Sequence, residues 1–107
     1  MKKVERNLEL LKVLGKCKPR LRQVIIREGN KDLILAICEC IYNVLNGNIP
    51  IDDKVFHKVK KYKHSLRDLM REQDSERKKD ILIQKGGFIP LLLPLIIDVA
   101  SRIISSQ

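Results

Sequence analysis

Residues 30 to 48 read NKDLILAICECIYNVLNGN, and this stretch decides the fold. Leu33, Ile34, Leu35, Ala36, Ile37, Ile41, Val44 and Leu45 recur with helical periodicity and cover more than one face. A helix that is apolar on most sides belongs in the centre of a bundle. Asn30 is a fair N-cap, Asn46-Gly47-Asn48 supplies the stop, and Pro50 prevents immediate resumption. The Asn-Gly pair is also a hairpin signal, but the long helical pattern before it argues for a helix end.

On the N-terminal side, Val4, Leu8, Leu10, Leu11, Val13 and Leu14 recur at 3/4 spacing with Lys3, Glu5, Arg6 and Lys12 between them. That predicts one short amphipathic helix ending near Gly15. Pro19 suits the first turn of a second helix, which carries Leu21, Val24, Ile25 and Ile26 and stops at Gly29-Asn30. Beyond the central helix, Asp52 and Asp53 sit where an N-cap and a favourable dipole partner belong. A fourth helix is predicted from about Lys54 to Arg71, with Val55, Val59, Tyr62, Leu66 and Leu69 facing inward. Residues 72 to 80 are polar and of mixed charge and read as a linker or a frayed helix with Ser75 as its cap. After Gly86-Gly87, residues 88 to 95 are almost wholly apolar, with Pro90 and Pro94 four apart.

The expected fold class is therefore all-α: a compact bundle of about four helices, then a linker, then a separate apolar C-terminal helix. The expected segments are a basic helical bundle at 1–71, a polar linker with a Gly-Gly joint at 72–87, and an apolar tail at 88–107. Pro90 is tolerated in the first turn of the last helix, whereas Pro94 is expected to kink it or start it afresh.

The 107 residues make one domain at most, and a deep catalytic cleft would be unusual at this size. The formal net charge is +9. Residues 81–107 carry Lys85 and Arg102 against Asp98, so nearly all of the excess lies before them. Such a balance attracts phosphate-rich polymers or anionic membranes. Its centre is the fourth helix, where Lys54, Lys58, Lys60, Lys61, Lys63 and Arg67 come with no acid from 54 to 67. Lysine and arginine neutralise phosphates and release counterions, and lysines position more than they specify. The run is thus a candidate surface for non-specific binding of double-stranded DNA; the alternatives are a membrane-active protein whose basic face meets anionic lipid, a helical protein-interaction module that binds an acidic partner protein, and an ordinary solvated helix face.

The tail is the second candidate. Phe88 to Ile97 is ten residues without charge, short of the roughly twenty that span a bilayer. Phe88, Leu91, Leu92, Leu95 and Ile96 are expected to anchor to a membrane or a capsid, to pack on the bundle, or to mediate self-association. Gly86-Gly87 suits a hinge and equally an extended protease substrate.

No catalytic set is visible, and neither enzymatic activity nor a cofactor is expected. His57 and His64 sit among lysines that would repel a cation, so no metal site is expected. Cys17, Cys38 and Cys40 form no zinc spacing and read as reduced core cysteines. The reduced thiols and the lack of an apolar leader point to an intracellular location.

Residues 85–96, KGGFIPLLLPLI, resemble the C-terminal part of the adenovirus core protein X (mu) precursor. The whole chain, including Leu10 to Leu14 and the turn at Asn46 to Pro50, resembles small basic proteins of Polinton/Maverick-type elements and adenovirus-like viruses. The resemblance implies a virion-core or minor capsid-associated protein, located in nucleus or virion, that binds packaged DNA. It also implies cleavage by a viral cysteine protease between Gly87 and Phe88, with Gly86, Gly87 and Phe88 as the candidate site. The chain differs from that pattern at Gln84, where the adenoviral enzyme prefers an aliphatic residue, and in its aliphatic-rich first 80 residues.

Overall fold

A computed structural model describes residues 2 to 105. Among them the chain forms eight α-helices and one 3-10 turn, with no strand. These are α1 (Lys2–Arg6), α2 (Leu8–Lys16), α3 (Pro19–Glu28), α4 (Lys31–Leu45), α5 (Asp53–Lys60), α6 (Lys63–Arg71), α7 (Ser75–Lys85) and α8 (Ile89–Ser105). Gly86–Phe88 is the 3-10 turn between the last two.

The central segment behaves as its sequence requires. The Asn30 side chain accepts a hydrogen bond from the Leu33 N–H at 2.9 Å and caps α4. Leu33, Ile34, Ala36, Ile37, Cys38, Cys40, Ile41 and Val44 are all buried, so α4 is covered on several sides. Gly47 ends it with φ at +74°, a conformation that favours glycine. Asp52 caps α5 by accepting from the Val55 N–H at 2.8 Å.

Two expected helices are each broken in two. The first breaks at Asn7, whose amide donates to the Lys3 carbonyl at 2.8 Å and to Asp32 at 2.9 Å. Arg6 reinforces the joint with a 2.8 Å bond to Asp32. The break lets α1 lie on α4 while α2 lies on α8. The expected fourth helix likewise divides at Lys61-Tyr62. The Tyr62 ring meets Phe88 edge-on at 6.0 Å, and the turn lets α5 reach α8 while α6 reaches α4 and α7.

Residues 75–85 are a docked helix rather than a linker. The Lys79 ammonium donates to the Arg27 and Gly29 carbonyls at 3.2 and 2.7 Å, satisfying the C-terminal end of α3. Lys85 lies 3.7 Å from Asp68 of α6.

The apolar C-terminal helix exists as a single element, and it fills the middle of the bundle. It continues through Pro94 without starting afresh, and the proline ring lies against Gly15 of α2. A Cβ at Gly15 would sit 3.5 Å from that ring, so the small residue allows the close α2–α8 approach. Ile89, Leu92, Leu93 and Ile96 are wholly buried, and so is Phe88 just before the helix. At about 1.5–3 kcal/mol per buried side chain, these five contribute roughly 8–15 kcal/mol before entropy, as much as a domain's whole net stability. The Cα radius of gyration, 12.8 Å, matches a single globule of about 13 Å, with no tail standing away from it.

Candidate functional site

The six cations of the basic run are all exposed. The break at Lys61-Tyr62 sorts them. Lys60, Lys63 and Arg67 come together along one cavity, and Arg71 joins them. On α6, Lys63, Arg67 and Arg71 are successive i, i+4 neighbours, a row about 12 Å long. Lys54 and Lys58 form a similar pair on α5, and they and Lys61 lie outside the cavity. Asp68, the acid that ends the basic run, pairs with Lys85 of α7 and does not line the cavity.

The cavity, of about 690 Å³, has an apolar floor. Leu45 from α4, Phe56 and Val59 from α5, and Leu66 and Met70 from α6 line it. Leu45 and Phe56 are 45% and 48% exposed, which leaves the floor open to an occupant. The Lys60 ammonium sits 5.1 Å from the centre of the Phe56 ring, a cation–π contact that holds both at the rim.

Arg71, Phe56, Leu45 and Met70 were missing from the sequence-derived set. Arg71 continues the i, i+4 row beyond Asp68 and could have been found from that spacing. Phe56 falls outside the inward pattern of Val55, Val59, Tyr62 and Leu66, the signal of an apolar residue with no place in the core. Leu45 and Met70 carry no such signal, because only the packing of α4 beside α6 brings them together.

The tail residues are placed very differently. Phe88, Leu92 and Ile96 are wholly buried, and Leu91 and Leu95 are half-buried, so this folded state offers none of them fully to a membrane or capsid. Gly86 is buried, and a Cβ on Gly87 would lie 3.0 Å from the Tyr62 ring and hydroxyl. The Gly-Gly pair thus serves as a tight packing point inside a 3-10 turn, neither hinge nor extended strand. Traced through that turn, Ser75–Arg102 is one helical run of 28 residues, long and apolar enough by length and composition to cross a bilayer.

Other reactive groups are not gathered. Among the described residues no group of three or more His, Cys, Asp or Glu could hold a metal ion. His57 and His64 fall on α5 and α6 and are exposed. Burial pushes the Cys38 thiol up to about 11 and the Cys40 thiol up to about 12, which keeps both unreactive.

Fold and site together define an all-α bundle whose basic α5–α6 face borders an apolar groove. No family model, no curated protein and no solved structure matches the chain.

Proposed function

We propose that this chain is a non-enzymatic structural protein that binds double-stranded DNA non-specifically through α5 and α6. One observation carries the reading: Lys54, Lys58, Lys60, Lys61, Lys63 and Arg67 are all exposed, and no acid interrupts the run. Each phosphate neutralised releases counterions, so binding of this kind is set by charge density rather than by base sequence. The row on α6 spans about 12 Å, comparable to several phosphates along a strand. The resemblance of residues 85–96 to an adenoviral core-protein precursor supports a place in the core of a virus-like element, or beside its capsid.

The test is a salt series with the full chain on random-sequence duplexes, because removing residues 88–105 would remove the buried Phe88, Ile89, Leu92, Leu93 and Ile96 from the core. If all six residues meet phosphate, the plot of log K against log salt has a slope of about −5. Changing the six to glutamine should flatten that slope by about one per residue lost. An unchanged slope would remove α5 and α6 from the interface.

A second reading rests on the 28-residue helical run Ser75–Arg102, which contains an apolar window of 18 residues. Here α8 leaves the core and inserts into anionic lipid, with the basic face on the headgroups. Dye leakage from anionic vesicles, at salt concentrations where DNA binding is absent, would favour it.

A further inference from the structure

We infer that the groove between α4, α5 and α6 is a docking site for an acidic amphipathic helix of another protein. The groove's chemistry has two parts that DNA uses unequally. A polyphosphate backbone engages the cations, but it has no apolar face for Leu45, Phe56, Val59, Leu66 and Met70. An occupant that uses both must be apolar on one side and anionic on the other.

The distribution of charge selects among such occupants. A single acyl chain ends in one charged head and would be met by cations gathered at one end. Here Lys63, Arg67 and Arg71 are spread along α6 over about 12 Å, with Lys60 on the facing helix. A ligand that matches this bears several negative charges along its length, as a helix does with acids at i, i+4 spacing. Its other face supplies apolar side chains at i, i+3, i+4 and i+7 to the floor, the helix-in-groove mode.

Met70 also lines a second cavity, with Leu35, Cys38, Glu39 and Tyr42 of α4. Tyr42 is 58% exposed there, and Lys3 and Lys78 line it together with the acid Glu39. An unbranched methionine at the junction adapts to different partner side chains. The inference shares Lys60, Lys63 and Arg67 with the proposed DNA surface but depends on the floor, which that proposal does not use.

The experiment uses the full chain and a fluorescein-labelled synthetic peptide of about 18 residues, roughly five helical turns. Leucine occupies i, i+3, i+4 and i+7, and glutamate fills most other positions. A scrambled peptide of the same composition is the control. The patterned peptide should bind at least about tenfold more tightly than the scrambled one, by anisotropy. Phe56→Ala should weaken it about tenfold, as should the pair Lys63→Glu and Arg71→Glu. Phe56→Ala removes no cation and should leave the salt slope of DNA binding unchanged, which separates failure of the floor from failure of the cations. Equal binding of the two peptides, or indifference to Phe56→Ala, would overturn the inference. So would vesicles of phosphatidylserine that bind with the same Phe56 dependence while the peptides do not.

Discussion

Two phenylalanines give a direct test of where the C-terminal helix belongs. Phe88 is wholly buried and meets Tyr62 edge-on at 6.0 Å, whereas Phe56 is 48% exposed at the rim of the groove. Truncating a buried phenylalanine to alanine costs about 3–5 kcal/mol, through lost transfer energy and the cavity left behind. Loss of the ring pair contributes about 0.5–1.5 kcal/mol of this. At about 4 °C per kcal/mol for a chain of this size, Phe88→Ala should lower Tm by roughly 15 °C. Phe56→Ala, made on the same side chain, should cost under about 1 kcal/mol, because the residue already faces solvent. Urea unfolding followed by circular dichroism measures both, and a double-mutant cycle with Tyr62→Ala isolates the ring contact. If Phe88→Ala loses no more than Phe56→Ala, the burial of residues 88–100 in the bundle is wrong, and the tail is free to act as an anchor.

Two further outcomes follow from groups whose protonation the fold alters. Hydrogen bonds from Arg6 and then Asn7 hold the Asp32 carboxyl at about 2, against an ordinary value of 3.8. A depressed value means the stabilisation is complete above the unfolded value and disappears as pH falls through the folded one. The stability gap between the native sequence and Asp32→Asn should therefore be constant from neutral pH to about 5 and close as pH falls toward about 2, in urea melts. The thiols provide the other. Native protein treated briefly with iodoacetamide at mild alkaline pH should carry label at the half-buried Cys17 alone, and all three cysteines should react in urea. Mass spectrometry finding Cys38 or Cys40 labelled as fast as Cys17 would show that the α4 core opens readily.

The all-α class and the apolar C-terminal helix were legible because periodicity and caps are local signals. Asn30, Asp52, Pro19 and Gly47 act within a few residues of themselves, and each does in the structure what its position implied. The breaks at Asn7 and Tyr62 were not legible. The inward pattern runs through both, and what turns the chain there is a distant partner: Asp32 for Asn7, and Phe88 with Gly87 for Tyr62. The same limit applies to the site. The basic run is visible as composition, but which cations share a wall depends on the turn at Lys61-Tyr62. The groove floor joins Leu45 to Met70 across 25 positions of sequence, and no local pattern encodes it.

The position of Phe88 would tie any cleavage after Gly87 to unfolding. Cleavage after Gly87 requires an extended strand in a protease groove, but residues 86–88 form a 3-10 turn with Gly87 against the Tyr62 ring. The bond can enter a protease only after that turn opens, and opening it withdraws Phe88 from the core. Because α8 begins at the next residue and fills the centre of the bundle, a cut followed by loss of α8 would strip α2 of its main partner and uncover one side of α4. Cleavage at that bond and the stability of the bundle would therefore be coupled rather than independent properties of two segments. A chain that is cut must either hold its α8 by packing alone or lose the arrangement of α4, α5 and α6 that forms the groove. DNA binding makes weaker demands, since cations on flexible helices still neutralise phosphate. On this reasoning the two proposed uses of the α5–α6 surface should respond differently to loss of α8: charge-driven DNA binding would survive it, and recognition in the groove would not.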